Sequence, residues 1–234
     1  MKNYIELEEI SRDIPFIKLA LTKKPVNAKN IDELKNCFGD YFTFENLVSN
    51  NQIHSDIVKI VSNENKNKKD NADALITNLK NTPLLVFTAD CVPVIFIDKI
   101  KKIIGVAHAG WRGTYSEITK KTIQKMNEVY NSNPEDIVCI IGPSIGSCCY
   151  EVSKELYSSF KDKFKNSKDV CLIKNNKYFL DLWEVNKYSA IMSGVKQSNI
   201  LSLDICTNCN SNEFYSYRAD NKTYKRIGMI IELI

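Results

Sequence analysis

Apolar residues concentrate between Leu84 and Ile141 in short runs separated by a few small or polar positions. Leu84 to Thr88 reads as a buried strand and Val94 to Asp98 as the next, each a brief run bounded by turn-forming residues. The Ala89-Asp90-Cys91-Val92-Pro93 segment between them is expected to be a turn or bulge, because Pro93 has no N–H to give a ladder. Ile103 to His108 reads as a third strand and runs out in the small residues Ala109 and Gly110. The period then changes. Ile118, Thr122, Met126, Val129 and Tyr130 recur at helical spacing, and Thr114 with Glu117 fits a capping box that would open the helix at Thr114.

Downstream, Ile137 to Ile141 reads as a strand closed by Gly142-Pro143. Ser153 to Phe164 and Glu184 to Ser193 read as helices, the second with Gly194 as its C-terminal cap. Tyr178 to Leu182, Ile200 to Ile205, Phe214 to Tyr217 and Ile227 to Leu233 read as strands. Strands and helices do not alternate strictly. The fold class expected is therefore α/β of the α+β kind, a mixed α and β domain with large sheets. The polar run Asn63 to Asn71 is read as a surface loop rather than a linker, because strand signals resume on both sides. One domain over residues 1–234 follows, with no internal repeat.

Composition narrows the class. With 44% apolar residues the chain can build a substantial core. The net charge of +4 is mild, and the lysines are interspersed with Asn and Glu. No basic stripe with interleaved aromatics stands out, so nucleic acid is not an expected partner. No apolar run is long enough to span a bilayer, so neither is a membrane. The N-terminal stretch Met1 to Glu9 is acidic and lacks a signal-peptide core. Eight cysteines without such a signal suggest reduced thiols in a cytoplasm and no disulfide framework.

The chain has two histidines, and each sits among other reactive groups. His54 lies in Gln52-Ile53-His54-Ser55. His108 lies in Ala107-His108-Ala109-Gly110-Trp111-Arg112-Gly113-Thr114. Cys91 falls between them in Thr88-Ala89-Asp90-Cys91-Val92-Pro93-Val94. Two imidazoles and a thiolate are a ligand set for a catalytic zinc with one open position. The plain alternative is a hydrogen-bonded core histidine and a small buried thiol. Asp90, beside Cys91, is a candidate acid/base or a residue that orients a ligand. Arg112 and Arg218 are candidate anion clamps, since a guanidinium fork matches phosphate; for Arg218 the alternative is an ion pair with Asp220. Cys206-Thr207-Asn208-Cys209 and Cys148-Cys149 are expected to be packing residues rather than a second zinc site, because adjacent cysteines fit the usual ligand spacing poorly. Cys37, Cys139 and Cys171 also look like packing residues.

These motifs, with Ile-Gly-Pro-Ser-Ile-Gly-Ser-Cys-Cys-Tyr-Glu-Val from Ile141 and Phe-Tyr-Ser-Tyr-Arg from Phe214, occur in order from Gln52 to the C-terminus. The chain resembles the YfiH-like family, also labelled multicopper polyphenol oxidase (laccase) domain, purine nucleoside phosphorylase or peptidoglycan editing factor. The resemblance implies layered mixed sheets flanked by helices, similar to the catalytic domain of a cysteine-dependent toxin deamidase. It implies zinc on His54, Cys91 and His108, with copper a lesser alternative. It implies phosphorolysis of adenosine, inosine, guanosine and methylthioadenosine, with adenosine deamination beside it. Cys91, His108 and Asp90 would be the catalytic residues, and Arg112 and Arg218 the substrate and phosphate contacts. Two departures stand out: the region from Ala20 to Asn27 lacks the family's glycines, and Ile31 occupies the position of a family arginine.

A multicopper oxidase needs a blue-copper site plus a cluster, with many imidazoles; two histidines cannot supply them. A cysteine hydrolase, with Cys91 as nucleophile and His108 as base, uses the same residues without metal and connects to the peptidoglycan editing label.

Overall fold

Alternation hidden inside wholly apolar strands sorts this chain into layers. The computed structural model describes residues 3–167 and 170–234. The strands and helices run in the order β1 (Tyr4–Glu6), α1 (Glu8–Asp13), β2 (Ile17–Thr22), α2 (Ile31–Phe38), β3 (Val58–Ile60), β4 (Ala74–Thr77), β5 (Leu84–Thr88), β6 (Val92–Asp98) and β7 (Ile103–Ala109). They continue with α3 (Trp111–Tyr115), α4 (Ile118–Tyr130), β8 (Ile137–Ile141), β9 (Glu151–Val152), α5 (Lys154–Lys163), β10 (Cys171–Lys174), β11 (Lys177–Leu180), α6 (Leu182–Met192), β12 (Ile200–Ser202) and β13 (Ile227–Leu233).

Three sheets result, in the orders β12-β8-β6-β7-β4-β3, β1-β2-β13-β5 and β10-β11-β9. The first is mixed: β12 with β8 and β3 with β4 are parallel, and the other pairs are antiparallel. In it Val94, Phe96, Ala107, Cys139 and Ile141 pack toward Ile118, Ile123 and Met126 of α4 and Val185 and Ala190 of α6. Their neighbours Ile95, Ile97, Ile104, Val106 and Ile140 pack instead against Leu19, Leu21, Leu84, Val86, Met229 and Ile231 of the second sheet. The outer face of that second sheet, through Ala20, Leu85 and Ile230, is covered by Leu34 and Phe38 of α2. Side chains in a strand alternate faces, so each central strand carries two cores at once and reads as continuously apolar. The layers run helix, sheet, sheet, helix. No helix among the described residues is long and apolar enough to cross a membrane.

Several sequence expectations change. Pro93 lies inside β6, opposite His108. Its carbonyl accepts from Gly142 N, so its ring nitrogen faces the side where β8 has already ended, and no ladder bond is lost. The turn is confined to residues 89–91, where the chain crosses from one sheet to the other. The Thr114–Glu117 capping box does not form. Thr114 Oγ1 donates to the Ala109 carbonyl, and Glu117 takes a left-handed conformation (φ 61°) that separates α3 from α4. Phe214 to Tyr217 is irregular chain rather than a strand. Phe214 and Tyr215 are buried there, and the Tyr215 hydroxyl donates to the Pro25 carbonyl at 2.7 Å. The strand expected over Ile200–Ile205 ends at Ser202.

Candidate metal centre and its cavity

The site forms where β5 hands the chain to β6 at one end of the two facing sheets. His108 shares the strand parity of Ile104 and Val106, so it emerges at the end of the core between the sheets. It is buried. The β6–β7 register sets Val92 opposite Ala109 and Pro93 opposite His108, which carries Cys91 to the imidazole. Ala74 of β4 pairs with Ala107, so Asp73 arrives beside His108: the His108 amide donates to the Asp73 carbonyl at 2.7 Å, and His108 Nδ1 meets Asp73 Oδ1 at 2.8 Å. The same carboxylate accepts the backbone amides of Ile53, His54 and Ser55 at 3.1, 3.0 and 2.7 Å. It thereby fixes the loop in which His54 adopts a positive φ of 61°. Gln52 anchors that loop from the other side, donating to the Phe87 carbonyl and accepting the Phe87 amide of β5.

The ligand atoms of His54, Cys91 and His108 lie within 4.8 Å of one another, with Cys91 Sγ 3.9 Å from His54 Nε2. Nitrogen and sulfur donors in this number suit a zinc with one open position. Asp73 on the far nitrogen of His108 is the carboxylate–histidine arrangement that fixes the tautomer of a ligand. Asp73 is a residue that sequence reasoning missed, as it did Lys29 and Arg226 of the cavity lining. Nothing in Asn71-Ala72-Asp73-Ala74 marks it; strand register alone brings it to His108.

Electrostatics follow from this packing. Burial opposes ionisation of Asp73, but the His108 and Ser55 hydrogen bonds outweigh it and hold the carboxyl down at about 2. Burial likewise pushes the Cys91 thiol up, and the facing imidazoles of His108 and His54 bring it below its ordinary value. Burial alone would lower the His108 imidazole, whereas Cys91 and Asp73 raise it. A thiolate ready to ligate or to attack is the net result.

A cavity of about 520 Å³ opens above these groups. Lys29, Arg112, Arg218 and Arg226 give it positive charge, while Phe87, Trp111, Ile145 and Leu182 give it apolar wall. Arg112 stacks on Trp111 with 4.2 Å from Cζ to the ring centroid. Arg218 lies over Tyr150 at 5.3 Å and donates to the Glu151 carbonyl at 3.1 Å. Asp220 pairs with Lys24 at 2.8 Å, which leaves the Arg218 guanidinium facing the cavity. Burial and the Cys91 charge push the Tyr150 phenol up to about 12, so it remains a neutral donor. Asp90 lines the cavity, but both carboxylate oxygens are engaged: one accepts Thr207 Oγ1 at 2.7 Å and the other the Arg218 amide at 2.7 Å. That geometry favours the orienting role over the acid/base one. Ile31 lines an adjoining cavity that shares Lys29, Gln52 and Phe87 with this one.

A family model described as multi-copper polyphenol oxidoreductase laccase matches residues 22–234. The chain belongs to this family. It is 38% identical over 204 residues to a purine nucleoside phosphorylase of Clostridium acetobutylicum, covering 86% of this chain and 81% of the relative. It is 33% identical to the purine nucleoside phosphorylase YlmD of Bacillus subtilis, covering 88% and 79%. An adenosine deaminase, RL5, from an unknown prokaryotic organism is 32% identical over 74% of this chain and 70% of its own. The crystal structure of the hypothetical protein YfiH of Bacillus licheniformis superposes with a TM-score of 0.87 at 26% identity, covering 100% of this chain and 97% of that one. The laccase in the family's description does not change the donor count: the two histidines of this chain fall short of a multicopper centre.

Proposed function

We propose that this protein is a zinc-dependent purine nucleoside phosphorylase with adenosine deamination as a second activity. The observation that carries the reading is the convergence of His54, Cys91 and His108 at the floor of a cavity ringed by four cations. The relatives named above support the reaction class. Adenosine, inosine, guanosine and methylthioadenosine are the substrates the family resemblance suggests.

His54, Cys91 and His108 would hold the zinc, which when bound supplies a Lewis acid beside the substrate. Arg112 and Arg218 bind phosphate and offset its charge while one of its oxygens forms a bond to the anomeric carbon. The glycosidic C–N bond breaks, and its electron pair leaves with the base, which then takes a proton. Tyr150 keeps its own proton and donates a hydrogen bond to the ring region. Phe87, Trp111, Ile145 and Leu182 exclude water and cover the purine. Asp90, held by Thr207 and the Arg218 amide, orients Cys91 and Arg218. In deamination water adds at C6 of adenosine and ammonia leaves, in the same cavity.

A second reading has one observation in its favour. Cys91, His108 and Asp73 also form a thiolate–imidazole–carboxylate series, the arrangement of a cysteine hydrolase. Alkylation and chelation separate the two. Zinc dependence predicts loss of nucleoside cleavage on chelation and recovery with zinc. A cysteine nucleophile predicts turnover that survives chelation and dies on alkylation of Cys91.

A further inference from the structure

Four of the eight cysteines gather at one surface point on segments that also wall the cavity. Cys148 and Cys149 follow β8, and Cys206 and Cys209 follow β12. The two segments are stitched together by Ser144 N donating to the Ile205 carbonyl at 3.1 Å and Thr207 N to the Ser144 carbonyl at 3.0 Å. Cys148 Sγ and Cys149 Sγ lie 3.6 and 3.4 Å from Cys209 Sγ, and all four sulfurs lie within 4.8 Å of one another. Tetrahedral zinc with sulfurs at about 2.3 Å sets them about 3.8 Å apart. A disulfide would need about 2.05 Å.

Adjacent cysteines fit the usual ligand spacing poorly, but here a local turn brings both thiols to one point. The amides of Cys149 and Tyr150 both donate to the Gly146 carbonyl at 2.9 Å. This tight turn sets both thiols toward Cys209. The Gly146 amide donates to Cys206 Sγ at 3.3 Å, tying the fourth sulfur to the same turn. A side chain at Gly146 would press on Trp183 at 2.9 Å and on Cys148 Sγ at 3.3 Å.

The geometry points to a second metal centre, a structural zinc held by Cys148, Cys149, Cys206 and Cys209. Four thiolates close the coordination shell, so the centre is not catalytic. It clamps the turn after β8 to the turn after β12. Ile145 and Tyr150 of the cavity wall lie on the first turn. Thr207, between two of the ligands, donates to Asp90. The clamp therefore positions the wall on which Arg218 and Tyr150 stand.

The test is the zinc content of the full chain, purified in reducing buffer without chelator. Two zinc ions per chain are expected in the wild type. One is expected in Cys206→Ser/Cys209→Ser, and one in His54→Ala/Cys91→Ala/His108→Ala. Alkylation mapped by mass spectrometry adds a readout on the unaltered protein, which decides the matter should the double variant not fold. The four cysteines should be shielded until a strong chelator is added, then label together. The proposal is overturned by a single zinc that disappears in the triple variant, by labelling of all four thiols in untreated protein, or by a disulfide from Cys209 to Cys148 or Cys149. Iron in the four-sulfur site would overturn the assignment to zinc. A single zinc that survives the triple variant and is lost in the double variant would uphold this centre and refute the catalytic one.

Discussion

Gly110 shows how closely one residue type is tied to the site. A Cβ there would stand 3.0 Å from Cys91 Sγ and 3.0 Å from the His54 ring, so only glycine lets the ligands converge across the strand end. Gly110→Ala should leave the fold intact and weaken zinc binding at least ~10-fold, since ligand positioning alone is worth 10–100-fold in affinity. Competition with a zinc-binding dye measures this, and unchanged affinity would show that the ligands do not meet there. The two arginines make a separate prediction. Arg218→Ala or Arg112→Ala should raise the phosphate KM or lower kcat by ~10-fold, the equivalent of ~1.5 kcal/mol for a charge-assisted contact. Phosphate dependence unchanged in both variants would remove them from the phosphate site. His54, Cys91 and His108 were legible in the sequence because the chain has two histidines, each embedded in a motif. Asp73, Lys29 and Arg226 were not, because their places depend on pairings and turns distant in sequence.

At the scale of elements, the short helix α3 carries Arg112 and is fastened from behind. Asn186 of α6 donates to Thr114 Oγ1 at 3.1 Å and accepts from Thr119 Oγ1 at 2.6 Å, all buried. Asn186→Ala leaves the buried Thr119 hydroxyl without its acceptor and takes one donor from Thr114, which keeps its bond to the Ala109 carbonyl, at a cost of about 1–3 kcal/mol. A urea midpoint within error of wild type would deny the network this role. The same junction explains a misread boundary. Thr114 and Glu117 have capping-box spacing, but Thr114 serves the Asn186 network and Glu117 is left-handed, so the helix starts at Ile118. Strands β5, β6, β7, β8 and β13 were legible because their apolar runs are strong. The irregular segment Phe214–Tyr217 read as a strand because of its run of aromatics; Phe214 and Tyr215 are buried but Tyr217 is exposed, and Tyr215 is held by a hydrogen bond to the Pro25 carbonyl. The sequence showed both cysteine pairs but not their convergence: an isolated bridge between Ser144 and Cys206 joins segments that are far apart in sequence.

Across the whole molecule, a net charge of +4 is too small to explain an anion site by itself. The fold concentrates Lys29, Arg112, Arg218 and Arg226 around one cavity, at the end of two stacked sheets. Those sheets set Cys91, His108 and Asp73 by register and leave the loops to supply His54 and Arg218. Zinc that binds only the native state must also stabilise it, so chelation should lower the thermal midpoint as well as activity. The most direct measurement follows adenine, ribose 1-phosphate and inosine from adenosine, with and without phosphate, in untreated, chelated and zinc-restored protein. Adenine and ribose 1-phosphate are expected only with phosphate, a smaller yield of inosine without it, loss of both on chelation or in Cys91→Ala, and recovery of the chelated wild type with zinc. Adenosine cleavage that persists at full rate after zinc is stripped, or no cleavage by the zinc-loaded protein, would contradict zinc-dependent phosphorolysis.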